Sequence, residues 1–204
     1  MITTRVTALS PSAAAEALEK LRRALVQLAP LPHHEWSRFA GEVELAFQRA
    51  GELLLAPGAP VDWVGFLGSG LVRYFHRERG REVTLGFDCE ERFVGDHEAF
   101  TARTGSRIAI EALENCVLVR LSRAHHDALL ARDACWSELF RRLLERELAH
   151  RIDKELRIRT RSPRERYEAL VKSGSYLVKR VPQYHVASYL GIAPETLSRI
   201  RARS

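Results

Sequence analysis

From Cys135 to Thr160, apolar residues recur at steps of three and four: Trp136, Leu139, Phe140, Leu143, Leu144, Leu148, Ile152 and Leu156. The pattern runs over about seven helical turns. Arg, Glu and Lys flank it, so the helix is either a core helix of one domain or a coiled-coil-like seam between two copies of the chain. Placement favours the second reading. The segment lies between a stretch with strand texture and a strongly basic one, and in a monomer its far end would be unsupported. The residues assigned to the dimer helix are Trp136, Phe140, Leu143, Leu144, Leu148 and Ile152.

Upstream, "AAAEALEKLRRALVQL" at 13–28 places Leu18, Leu21, Leu25 and Leu28 on one helical face, and a second short helix is expected around His34 to Ala40. From about Val43 to Leu121 the texture changes. Short runs such as "WVGFL", "LVRYFH", "EVTLGF", "RIAIEAL" and "CVLVRL" are rich in β-branched and aromatic residues and are separated by glycine and proline. They predict an antiparallel sandwich or roll, with "HRERGRE" as a hairpin turn about Gly80. After Leu121, "SRAHHDALLARD" reads as a short helix. The fold class is therefore α+β.

At 204 residues the chain suits one large domain or two small ones. Its weakly charged stretch at 53–72 is broken by two prolines, several glycines and Asp62, so it does not read as a membrane span. No basic region followed by a long apolar core opens the sequence, and a cytoplasmic protein is the expectation. Cys89, Cys116 and Cys135 are an odd, widely spaced set without a C-x-x-C pair, which argues against a disulfide framework and a zinc site. Buried free thiols are the simpler reading, with a redox sensor as the alternative.

Charge is distributed unevenly. Residues 151–204 hold thirteen Lys and Arg against five Asp and Glu, a net charge of +8, whereas residues 1–150 hold nineteen against twenty-one. A near-neutral part joined to a basic part fits a regulatory domain carrying a phosphate-binding module; a solvated basic face is the plain alternative.

The basic part restarts cleanly at "RTRSPRERYEALVKSGS", where Ser162, Pro163 and Glu165 form a capping box and Gly174 is expected to end the helix. In "VASYLGIAPETLSRIRARS", Val186, Ala187 and Leu190 share a face, Gly191 permits a tight turn and Pro194 opens a second helix. Ile192, Leu197 and Ile200 would pack inward. This is a helix-turn-helix pattern that turns Glu195, Thr196, Ser198, Arg199 and Arg201 outward. In a major groove Arg can donate two hydrogen bonds to guanine and Glu can accept from the cytosine amino group. Lys179, Arg180, Thr196, Arg201 and Arg203 suit phosphates. A generic basic helical hairpin is the competing reading.

A roll, a long helix and a terminal "VASYLGIAPETLSRI" together resemble the Crp/Fnr family of bacterial transcription regulators, over nearly the whole chain. The most specific part is E-x-x-S-R at Glu195, Ser198 and Arg199, which is similar to the base-reading pattern of the Fnr-like branch. The resemblance implies a cyclic-nucleotide-binding-like sensor domain at 1–134, a dimerisation helix at 135–160 and a helix-turn-helix domain at 161–204. It also implies a homodimer on double-stranded DNA with a TTGA-type half-site, RNA polymerase as a further candidate partner, and no enzymatic activity. Ala193 at the expected N-cap of the reading helix departs from the preferred Ser or Thr, a loss of about 1 kcal/mol.

In the nucleotide-binding members of that family a phosphate cassette runs from Gly-Glu to Arg-Ser or Arg-Thr. Here "VGDHEAFTARTGSRIAIEA" places Gly95 and Asp96 at the first pair and Ser106 where the arginine should be, with Arg107 one place later. One residue of displacement on a strand reverses the face. Arg103 is a second substitute. These departures argue against cyclic AMP binding in the family's usual manner and leave the cofactor unknown. No N-terminal cysteine cluster suggests an iron-sulfur centre, and no metal site is expected. The alternatives are a ligand-binding or protein-interaction module with a degenerate C-terminus and, third, a cupin-like metalloenzyme.

Overall fold

A computed structural model describes residues 9–202, apart from the side chains of 173–177. A serine cap sets the first element. Ser10 accepts from the Ala13 N–H at 3.2 Å and Pro11 takes the first position of helix α1 (Pro11–Leu28), whose Leu21, Leu25 and Leu28 are buried. Helix α2 (His33–Glu42) follows Pro32 and buries Phe39 and Glu35.

Eight strands then build a sandwich: β1 (Glu44–Gln48), β2 (Leu53–Leu55), β3 (Trp63–Ser69), β4 (Leu71–Glu78), β5 (Arg81–Cys89), β6 (Arg92–Val94), β7 (Ala109–Ala112) and β8 (Cys116–Ser122). One sheet has the order β1-β8-β3-β6 and the other β2-β7-β4-β5. The expected turn about Gly80 is present, with both Arg79 and Gly80 at positive φ, as a tight hairpin turn requires. Helix α3 (His97–Ala102) interrupts the strands between β6 and β7.

Strand β8 displays the period-two logic of a sheet with both faces covered. Cys116 and Leu118 face a core inside the sandwich with Leu67, Val72 and Ile110. Val117, Val119 and Leu121 face a second core, formed with α1, α2 and the helices after the roll. Those helices are α4 (Arg123–Arg132), capped by Ser122, and α5 (Ala134–Thr160).

The apolar seam of α5 divides. Trp136, Leu139 and Leu143 are buried in the second core, and Phe140 packs against it, so these side chains of the expected dimer helix are committed within the chain itself. Leu144, Leu148, Ile152 and Leu156 lie 46–59% exposed. Periodicity identified the face, but the partner changes along the helix.

Helices α6 (Pro163–Arg180), α7 (Gln183–Leu190) and α8 (Pro194–Ala202) complete the fold. The capping box is formed: Glu165 accepts from the Ser162 N–H at 2.8 Å, and Ser162 Oγ accepts from the Glu165 N–H at 3.3 Å. Gly174 does not end α6, which continues to Arg180.

The chain divides into two compact units, one comprising the chain up to Tyr74 with Phe87–Leu144, the other Phe75–Gly86 with the chain from Glu145 onward. The division falls within α5, and the outer part of the β4–β5 hairpin counts with the helices. There the Thr84 N–H donates to Ser188 Oγ at 2.9 Å, and Lys154 donates to the Leu85 carbonyl and lies over the Tyr189 ring.

Candidate nucleic-acid interface and sensor pocket

Helix α7 buries Val186, Ala187 and Leu190 and ends at Gly191, whose φ of 66° is the left-handed conformation that favours glycine. The Ile192 N–H reaches back to the Ala187 carbonyl at 3.0 Å, which closes the turn. Helix α8 begins at Pro194 and buries Leu197; Thr196 and Leu197 donate to the carbonyl of Ala193. An alanine side chain supplies no cap there.

Glu195, Ser198 and Arg199 are exposed, as is Arg201. Positions i, i+3 and i+4 share one helix face, so the first three stand together. Thr196 differs from its expected place among exposed phosphate ligands. It is half-buried and its Oγ1 accepts from Arg199 Nη2 at 3.1 Å, which steadies the guanidinium. Lys179 and Arg180 lie in the last turn of α6, the former exposed and the latter half-buried. Arg203 lies outside the described residues.

The cassette region brings Asp96 and Ser106 together. Asp96 is buried and caps α3, its Oδ1 accepting from the Ala99 N–H at 3.1 Å. Its Oδ2 lies 2.8 Å from Ser106 Oγ. That hydroxyl also lies 2.8 Å from the Ile108 carbonyl and accepts from the Ile108 N–H at 3.1 Å, so one proton serves two acceptors. Ser106, at the position expected for a phosphate-binding arginine, ties Asp96 to the start of β7.

The two candidate substitutes stand elsewhere. Arg107 is exposed while Ser106 is buried, although both precede β7 and the expected strand alternation does not apply to them. Arg103, in the left-handed conformation at the end of α3, donates to Asp127 of α4 at 2.9 Å. Gly95 is buried next to Asp96.

A residue the sequence did not single out stands beside the same loop. Arg123, the first residue of α4, donates to the carbonyls of Val61 at 2.7 Å and Phe100 at 2.6 Å and stacks on the Phe100 ring at 3.9 Å. Nothing in the sequence separates it from the other arginines. Arg103 and Arg123 both line a cavity of about 310 Å³ beside the cassette loop, with Gly58, Asp62 and Gly105. Both also line a second cavity of about 390 Å³ between the outer face of the β1-β8-β3-β6 sheet and the helices.

Adjacent His125 and His126 face different ways. His125 is exposed, and His126 packs on Phe100 and Phe140 with its Nδ1 at 3.1 Å from Asp127. Among the described residues no group of three or more His, Cys, Asp or Glu is placed to hold a metal ion. Cys116 is buried. Burial, then the neighbouring Asp133, pushes the Cys135 thiol up to about 11. Among the described residues no helix is long and apolar enough to cross a membrane.

Residues 47–133 match the cyclic nucleotide-binding domain family. Comparison with curated proteins gives no match. Among solved structures the fold is similar to that of FixK2 from Bradyrhizobium japonicum, at 20% identity and a TM-score of 0.69, over 79% of this chain and 83% of that one. It is similar to CLP of Xanthomonas campestris, described as a c-di-GMP responsive global regulator, at 19% identity and a TM-score of 0.66, over 82% and 88% of the two chains. A CooA variant from Carboxydothermus hydrogenoformans gives 19% identity and a TM-score of 0.61, over 80% and 76%. These likenesses establish the architecture: a cyclic-nucleotide-binding-type β-sandwich with flanking helices, a long helix and a helical C-terminal region.

Proposed function

We propose that the chain is a sequence-specific DNA-binding transcription regulator, acting as a homodimer on an inverted repeat, with the roll as its sensor. The observation that carries this reading is the packed α7–Gly191–α8 hairpin with Glu195, Ser198 and Arg199 together on its exposed face. The architecture shared with FixK2 and CLP supports it.

In this reading α8 enters the major groove, Arg199 donates to guanine, Glu195 accepts from a base amino group, and Ser198 contacts or supports a thymine. Lys179, Arg180 and Arg201 neutralise phosphates, with Arg203 in the same role by sequence. The exposed seam of Leu144, Leu148 and Ile152 pairs with its counterpart, and two-fold symmetry sets half-sites about one helical turn, roughly 34 Å, apart. RNA polymerase is the partner such a regulator addresses next.

The test is binding of the purified protein to a TTGA-type inverted repeat and to a scrambled duplex across a salt series. A preference for the repeat that persists as salt rises supports the reading, because phosphate contacts weaken on both duplexes alike while base contacts do not. Equal affinity for the two at every salt concentration refutes it.

A further inference from the structure

We infer that the cavity of about 390 Å³ between the outer sheet face and the helices is a binding site for an aromatic carboxylic acid, with its ring in the apolar interior and its carboxylate at Arg123 and Arg103. This site lies outside the sandwich, on the face of β3 and β8 opposite the interior core that holds Leu67 and Leu118.

Size and lining argue for a small molecule. The volume falls in the range of small-molecule sites, and the walls are apolar with a few polar groups gathered together. Phe66, Phe93, Phe100, Phe140 and Trp136 contribute rings, which favours a flat aromatic body over a branched aliphatic one. Cavities with apolar walls gain little from water, so this volume is available to an apolar ligand.

Charge selects the head group. Arg103, Arg123 and Arg141 line the cavity against the single carboxylate of Asp127. Asp127 is already bonded to Arg103, and Arg141 to Glu138. Arg123 hydrogen-bonds carbonyl oxygens, so its charge has no carboxylate partner among the described residues. A planar guanidinium pairs best with a carboxylate, and such a bond strengthens where water is excluded. Of the apolar lining residues, Leu130 is 39% exposed to solvent.

The occupant would touch α3, α4 and the first turns of α5 at once. This deepens the sensor half of the proposed function and rests on that reading only for its consequence, because binding itself is measured without DNA. Calorimetry on the full chain with 1-naphthoate and with the neutral 1-naphthalenemethanol compares two probes of similar shape. The expected result is saturable binding of the acid, about tenfold or more tighter than the alcohol. Equal affinities, or binding of neither, overturn the proposal.

Location is tested with Val64→Phe, which puts a ring into the cavity, and with Arg103→Gln, a surface change that keeps the loop contacts of Arg123. Both should weaken 1-naphthoate at least several-fold, and excess cyclic AMP should not displace it. Unchanged affinity in a folded Val64→Phe protein, or displacement by cyclic AMP, places the ligand elsewhere and refutes the site. If Val64→Phe does not fold, the acid–alcohol comparison and Arg103→Gln decide alone. A failure of DNA binding leaves this result untouched.

Discussion

Ser188 Oγ accepts a hydrogen bond from the backbone N–H of Thr84 at 2.9 Å, joining the first helix of the helix-turn-helix to a strand of the β4–β5 hairpin across 104 residues of sequence. The same hydroxyl faces the Glu82 carbonyl at 3.4 Å. Strand β5 continues past this point to Cys89, so the contact sits on a strand that belongs to the roll at its other end. Removing the hydroxyl with Ser188→Ala should cost about 1 kcal/mol. Amide hydrogen exchange at Thr84 should accelerate by about fivefold. An unchanged rate would show that the contact does not form in solution.

Glu35 anchors α5. Its Oε2 accepts from the Trp136 indole at 2.6 Å and from Arg132 Nε at 3.0 Å, while Arg132 also reaches Glu42. The indole hydrogen bond, with Arg132 adding to it, holds the Glu35 carboxyl below the ordinary glutamate range. A depressed carboxyl contributes stability that is present above its unfolded pKa and is lost as pH falls through the folded value. Glu35→Gln should destabilise the protein by about 2 kcal/mol at neutral pH. It should also reduce the loss of stability on acidification, read as the difference in urea midpoint between pH 7 and pH 4. A variant with the wild-type acid slope would remove Glu35 as the cause.

Cys135 is expected to be inert. With its thiol pushed up to about 11 by burial and Asp133, the reactive thiolate is scarce at neutral pH. Alkylation by iodoacetamide at this residue, followed by mass spectrometry, should be slower than at a free thiol around pH 7.5 and should rise only in strongly alkaline buffer. Fast labelling at neutral pH would reopen the redox-sensor reading.

Arg199→Ala should cost about 1–3 kcal/mol on the inverted repeat and much less on random DNA. Equal losses on both would make Arg199 a phosphate contact. Thr196→Val should produce a smaller loss in the same direction, because it frees the guanidinium without removing it.

Leu148→Glu should convert a dimer into a monomer at micromolar concentration, as sedimentation would read. Leu148 is 59% exposed, so the substitution disturbs little inside one chain, whereas like charges facing each other across a seam repel. A wild-type protein that sediments as a monomer would exclude the seam as an interface.

Much of this fold was legible in local patterns. The strand runs, the turn at Gly80, the capping box at Ser162 and the reversal at Gly191 are each decided by a few neighbouring residues, and each formed as read. Gly174 misled because a mid-helix glycine costs only about 1 kcal/mol, which the residues either side of it outweigh. The seam of α5 was read as one interface because periodicity reports a face and not its partner. Trp136 and Leu143 found theirs in α1, α2 and the sheet, through contacts that no local window contains.

The candidate residues divide in the same way. Glu195, Ser198 and Arg199 are close in sequence and could be read as a set. Arg123 is positioned by Val61 and Phe100, 62 and 23 residues away, and had no signature.

The Asp96–Ser106 pair bears on which messages this chain can receive. A cyclic phosphate arriving at the cassette would meet a carboxylate already bonded to the Ser106 hydroxyl, at the place where the family's pattern has an arginine. An anion at this loop would have to find its cation in Arg103 or Arg123, which line the adjoining cavity, and not at the position that Ser106 occupies.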